Sequence, residues 1–226
     1  NNCAGFYPDS NCTGERGDLK ATLRAILLDP EARGDFKTDP SYGRLREPAQ
    51  LIAGLGRAVR AVGATWPGNP SGESDGVVNH LSVRMQQDVF RPPTVFGYFP
   101  AEYDIPGAGE LKGPEFGGMS SSTALARVAF VAQMFYHGGV QRFTTPDIAS
   151  GTFLNHSAFT PLAADPPRLV AALDALFLHG TMSPEMRAAV LQGVEAVPVS
   201  NPNHLRDRTR EALFLVLSSP QYQIQR

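Results

Sequence analysis

Arg84-Met85-Gln86-Gln87-Asp88-Val89-Phe90-Arg91-Pro92-Pro93-Thr94-Val95-Phe96-Gly97-Tyr98-Phe99 opens a forty-residue stretch. It continues through Tyr103-Asp104-Ile105-Pro106-Gly107 and Gly113-Pro114-Glu115-Phe116 to Ser120-Ser121-Ser122-Thr123. Pro lacks a backbone N–H, fixes φ and pushes its predecessor out of the α region, so Pro92-Pro93 predicts a helix end near Phe90. The segment 91–119 then shows neither helical nor strand periodicity, yet it carries Phe96, Tyr98, Phe99, Tyr103 and Phe116. Disordered linkers are poor in aromatics, so 91–119 reads as an ordered lid folded onto a helical core.

Outward from this loop, helical signals dominate. Asp18 is placed to cap a helix over Leu19–Leu28, with Leu19, Leu23, Ile26 and Leu27 on an inward face. Residues 31–43 read as a connection. Pro48 opens a second helix, with Leu51, Ile52, Leu55, Val59 and Val62 at helical spacing and Gly63 as its stop. Gly54 and Gly56 inside it predict a close helix–helix contact; without a preceding strand and a third Gly, a dinucleotide loop is the weaker reading. Ser74 or Asp75 caps a third helix running to Phe90, with Leu81 and Met85 inward. Ser120–Ser122 supply the cap of a fourth, 123–137, apolar on most sides and therefore central. Gly138-Gly139 stop it. Pro166-Pro167, Ser183-Pro184 and Ser200 or Asn203 begin three more, with Leu169, Val170, Leu173, Leu176 and Phe177, then Met186, Val190 and Val194, then Leu205, Leu213, Val216 and Leu217 facing in. Sustained strand alternation and a 20–50-residue repeat are both absent. The predicted fold is all-α: a single irregular multi-helix domain over 1–226, with a 1–17 loop and the 91–119 lid.

The chain has 226 residues, 42% of them hydrophobic, which is enough for a sizeable core. A formal charge of −2 gives no basic footprint for nucleic acid, and no apolar run is long enough to span a bilayer. The chain opens Asn1-Asn2-Cys3 with neither initiator Met nor signal peptide, so the expectation is a fragment or a processed product. Cys3 and Cys12, the only cysteines, sit in one polar loop. They suggest a disulfide and an oxidising compartment, with free surface thiols as the alternative. Such a loop would add about 2–3 kcal/mol.

The motifs of zinc proteases, P-loops, nucleophile elbows and C-x-x-C sites are missing, and no cofactor or metal site is expected. The five histidines, at 80, 137, 156, 179 and 204, include no chelating pair three or four apart. His137 and His179 precede glycines at helix C-termini, where a partial positive charge complements the dipole. His80 or His156 with Asp104 or Glu115 could form a general acid/base pair under the lid. Arg84, Asp88 and Arg91 read as a buried ion-pair set holding the loop, or else a solvated helix face. Tyr98, Phe99 and Tyr103, beside Glu115, form a candidate surface for stacking a sugar or aromatic ligand, or pack the lid.

Several blocks then resemble a known family. Ala25-Ile26-Leu27-Leu28-Asp29-Pro30-Glu31-Ala32 and Gly43-Arg44-Leu45-Arg46-Glu47-Pro48 come first. Phe90-Arg91-Pro92-Pro93-Thr94-Val95-Phe96-Gly97-Tyr98, Tyr103–Gly107, Gly113–Phe116 and the closing 212–223 follow in the same order. Together they resemble the large bacterial group called domain of unknown function 1800. The resemblance implies an exported protein, extracellular or periplasmic, often encoded beside a second exported family related in fold to sulfatases and phosphatases. It also implies a domain about twice this length, of which these blocks form the C-terminal half; the Cys3–Cys12 insertion departs from the family pattern. No catalytic residues carry over. The expected function is a structural or interaction component of an exported assembly, partnered by the N-terminal half of its own domain or by the sulfatase-like neighbour. The alternatives are a hydrolase acting on an extracellular polymer and a small-ligand or sugar-binding module using the loop aromatics.

Overall fold

The computed structural model describes residues 16–34, 39, 41–65, 70–74, 76, 79–140 and 151–225, without the side chains of Glu31, Asn79 and His80. Two units are distinguished, Asn1–Tyr42 and Gly43–Arg226. The Cys3–Cys12 pairing, with the rest of the 1–15 opening, and a capping role for Asp75 lie outside the described residues.

In the first unit, Asp18 caps α1 (Leu19–Leu28) by accepting a bond from the Ala21 amide at 3.0 Å. Pro30 then starts α2 (Pro30–Arg33), inside what the sequence presents as a connection. The α1 apolar stripe does not face a core: Leu19, Leu23, Ile26 and Leu27 are all exposed. Periodicity specifies that a helix has an apolar face, and says nothing of whether that face is covered.

The second unit is mostly helical. It begins with β1 (Arg44–Leu45), α3 (Pro48–Ala58), β2 (Ala61–Val62) and α4 (Asn79–Arg84). A 3-10 turn at Pro114–Gly118 precedes α5 (Ser121–Phe135), and β3 (Phe153–Leu154) and a second 3-10 turn (Thr160–Ala164) follow. Then come α6 (Pro166–Leu173), α7 (Pro184–Ala196), α8 (His204–Ser218), α9 (Pro220–Gln223) and β4 (Ile224–Gln225). The two-residue strands are an addition to the all-α expectation. β1 pairs antiparallel with β4 (Arg44 opposite Gln225), and β2 with β3 (Ala61 opposite Leu154). Segments this short carry no alternation for a sequence pattern to reveal.

α8 is the hub, packing against α5, α6 and α7 with Ala212, Leu213, Val216 and Leu217 fully buried. Ser120 caps α5 in a capping box with Thr123, and Ser183 caps α7 through the Met186 amide. On α5, Leu125 is exposed and Arg127 is buried instead, so the helix has one inward stripe rather than an apolar circumference. After α6 the backbone widens into a π turn, Asp174–Leu178, closed by left-handed His179. That register shift leaves Leu176 exposed although Leu173 and Phe177 are buried. Asp174 is buried there, pairs with Arg187 of α7 and accepts the Met182 amide at 3.0 Å.

Two boundaries differ from the sequence pattern for the same reason, a left-handed residue. α3 ends at Ala58 because Arg60 takes φ 51°, which turns Val62 into a strand. α4 ends at Arg84, well short of Phe90, because Gln86 takes φ 63°. The Gln87 amide bonds to Ser82 O and the Gln86 amide to Val83 O, the paired bonds of a Schellman end with Gln in the usual Gly place. The buried Gln87 amide group then donates to the Glu47 carboxylate and accepts from the Ala49 amide at 2.7 Å, capping α3 from a distance. Ser74, one of the expected α4 caps, bonds the Gly76 amide and the Thr152 hydroxyl instead.

The glycines of α3 are not at a helix crossing. A Cβ placed on Gly54 would have nothing within 4 Å, and one on Gly56 only Ala61 at 3.6 Å. The close helix contact falls on α7, where a Cβ at Gly193 would lie 2.6 Å from Leu215 of α8. Gly139 is more than a helix stop: at φ 71° its Cβ position lies 2.4 Å from Thr152 O, beside the Val140–Thr152 bridge.

These contacts set two expectations for stability. Gly54→Ala should stabilise by about 1 kcal/mol, a rise of roughly 2–4 °C in Tm for a chain of this size, read by thermal denaturation. Arg127→Met leaves the carbonyl oxygens of Arg46 and Gln223 without their donor. It should cost about 1–3 kcal/mol in urea unfolding, the penalty of buried acceptors left unmade.

Candidate functional site

The 91–119 loop is held by its own contacts. The Ile105 amide bonds Leu111 O at 3.0 Å and the Gly113 amide bonds Tyr103 O at 2.9 Å, with Asp104 opposite Lys112. Aromatic rings lie on glycine backbone: a Cβ at Gly118 would stand 2.8 Å from the Phe99 ring, and one at Gly113 2.8 Å from the Phe116 ring. Tyr98, Phe99, Tyr103 and Glu115 are half-buried in this arrangement. The Tyr98 hydroxyl donates to Asp88 O, and Thr123 of α5 donates to Gly118 O at 2.8 Å, pinning both ends.

Its leading edge is different. Thr94 and Gly97 close a small turn, and Phe90, Val95 and Phe96 stand 95%, 94% and 91% exposed. A lid packed down on the core would have buried these side chains. Half-buried Asp88 pairs with exposed Arg91 at 3.7 Å, and Arg84 is also exposed, so the solvated alternative holds and the buried ion-pair set does not.

Behind this edge lies a cavity of about 740 Å³. Ile52 and Gly56 of α3, Phe130 and Met134 of α5 and Leu154 of β3 supply its apolar wall. Val89 and Phe90 reach its margin from the loop. Its polar side chains among the described residues are Arg57, Arg60, Ser82, and Ser74 and Thr152, whose hydroxyls share a bond of 2.8 Å. The sequence signals for this site were weak, because its walls come from segments a hundred residues apart. Gly56 and Arg57 beside the α3 apolar stripe are the nearest thing to a local sign.

The titratable groups raised from the sequence are dispersed. Asp104 is exposed and ion-paired with Lys112. His156 is half-buried, its Nδ1 3.4 Å from Leu154 O and its ring edge-on to Phe135 at 6.0 Å. Among the described residues no hydrogen bond joins His156 to Asp104 or Glu115; the His80 side chain is not among those described. Tyr136, which the sequence did not single out, donates to Glu211 at 2.6 Å, and burial together with that carboxylate pushes its phenol pKa upward. Among the described residues no cluster of His, Cys, Asp and Glu could hold a metal ion, and no helix is long and apolar enough to cross a membrane.

A predominantly helical unit with a self-packed aromatic loop and an apolar cavity defines the class. The model of the family described as "Protein of unknown function (DUF1800)" matches residues 7–224, and the chain belongs to that family. No curated protein and no solved structure matches it.

Burial pushes the His156 pKa below 6.5, with Arg210 and Arg206 acting in the same direction and the Leu154 carbonyl opposing. The unfolded chain therefore binds this proton more readily than the folded one. Stability from this group is present above about pH 6.5 and is lost as the pH falls toward the lower folded value. In urea titrations between pH 7 and pH 5, His156→Gln should remove that part of the slope and leave the remainder.

Proposed function

We propose that the chain is a non-catalytic interaction module of an exported bacterial assembly. The observation that carries this reading is the apolar edge Phe90, Val95 and Phe96, almost wholly exposed on a loop that is otherwise tied down. Three large apolar side chains held into water by an ordered scaffold raise the free energy of the isolated chain, and covering them by a partner reverses that cost. Rigid presentation also lowers the ordering entropy that association must overcome. The supported partner is a protein surface: the other half of its own domain or the exported sulfatase-like neighbour, the two that the family resemblance implies.

The test is site-specific photo-cross-linking in the native bacterium, with benzoylphenylalanine placed at position 95 or 96 and, as control, at exposed Leu125. The expected result is one defined adduct from the loop positions, recovered in the extracytoplasmic fraction and missing from the control. Val95→Ser with Phe96→Ser should weaken association with that adducted protein about tenfold or more, as loss of central apolar anchors does. A loop position that cross-links no better than Leu125, or a chain retained in the cytoplasm, overturns the reading.

A further inference from the structure

The cavity behind the loop has a chemistry of its own. At about 740 Å³ it falls within the range of roughly 300–1,000 Å³ typical of small-ligand sites. Ile52, Phe130, Met134 and Leu154 line it with hydrocarbon and a thioether, and Met adapts readily to irregular apolar shapes. Against that wall stand two cations. Arg57 lies in the last turn of α3, and Arg60 three residues later in the left-handed position that ends the helix. The backbone of Arg60 is fixed from the other side, its carbonyl accepting the Asn155 amide at 3.1 Å.

Among the described residues no acidic side chain lines the cavity. Among the described residues the guanidinium groups of Arg57 and Arg60 have no ion-pair or hydrogen-bond partner, although Asp88, Asp104, Asp174 and Asp207 each hold a cation elsewhere. The bonded hydroxyls of Ser74 and Thr152 add a neutral polar group to the wall.

We propose that this cavity binds a small organic anion with an apolar body, namely a carboxylate on an alkyl or aryl frame. The body occupies the space between α3, α5 and β3. The carboxylate lies at the rim between Arg57 and Arg60, where a planar guanidinium can donate two parallel bonds to it. The charge and the wall make separate demands: a bare inorganic anion leaves the apolar wall wet, and an uncharged hydrocarbon leaves both cations without a counter-charge.

The probe is 11-(dansylamino)undecanoate, titrated into the chain by fluorescence, with dodecanoate, dodecanol and acetate as competitors. The expected result is saturable one-to-one binding, displaced by dodecanoate and not by acetate, with dodecanol about tenfold weaker than dodecanoate, the scale of one charge-assisted contact. Arg57→Met with Arg60→Met should lower dodecanoate affinity about tenfold and leave dodecanol unchanged. Ala53→Trp, on the cavity face of α3, should abolish binding of both while the Tm is retained. Absence of saturable binding, equal affinity for dodecanoate and dodecanol, or full binding by Ala53→Trp overturns the proposal. Should the Arg double variant fail to fold, the acid-to-alcohol comparison and Ala53→Trp decide it. Val95→Ser with Phe96→Ser leaves probe binding unchanged, so failure here and failure of the loop as a protein contact are separate results.

Discussion

The Arg127 guanidinium closes the second unit. Arg127 is 4% exposed, and burial lowers its pKa. A buried cation must be bonded, and this one is served by neutral oxygens, Arg46 O at 2.8 Å and Gln223 Oε1 at 2.9 Å. Those acceptors come from opposite ends of the unit. Around them Arg46 donates to Tyr222 O at 2.8 Å, and its guanidinium stands 4.7 Å over the Tyr222 ring. The two-residue β1–β4 pairing is too short to hold by its own ladder. It persists because one side chain of α5 bonds both of its flanks.

From that closure the loop follows. α5 begins at Ser120, and Thr123 on the same buried stripe as Arg127 reaches back to Gly118 O. The 3-10 turn at Pro114–Gly118 is thereby fixed beside β1. Around it the rings of Phe99, Tyr103 and Phe116 lie against the backbone of Gly118, Gly117 and Gly113, so an aperiodic segment packs on itself. Its most exposed apolar side chains are Phe90, Val95 and Phe96.

What the sequence reveals and what it hides divides by range. Asp18, Pro48, Ser120, Ser183 and Pro184 act within four residues of their own positions, and each marks a helix start where the structure has one. The end of α4 is hidden because Gln86 adopts a conformation that favours Gly, and the compensation comes from Gln87 capping α3, some forty residues away. Arg127 was open to notice: it falls four residues after Thr123 and three before Phe130, within the inward stripe, where a cation needs explaining. The cavity was not, since no local pattern joins Arg57, Thr152 and Met134. The exposure of α1 was hidden for a different reason, that an apolar face is a property of the helix and its covering is not.

Phe90 links the two surfaces. It takes φ 65°, a region that costs an aromatic residue about 1–2 kcal/mol, and that conformation leaves its ring 95% exposed at the margin of the cavity. Strain of this kind persists where surrounding structure over-determines it, and here the Arg91 amide bonds Asp88 O while Tyr98 donates to the same carbonyl. The isolated chain gains no burial from the arrangement, since the ring touches water on nearly every side. A selection for stability alone would favour a glycine or asparagine at this turn and a polar side chain at its tip. An aromatic held outward at an energetic loss fits the contact surface proposed above, in which its burial is deferred until a partner supplies the other wall.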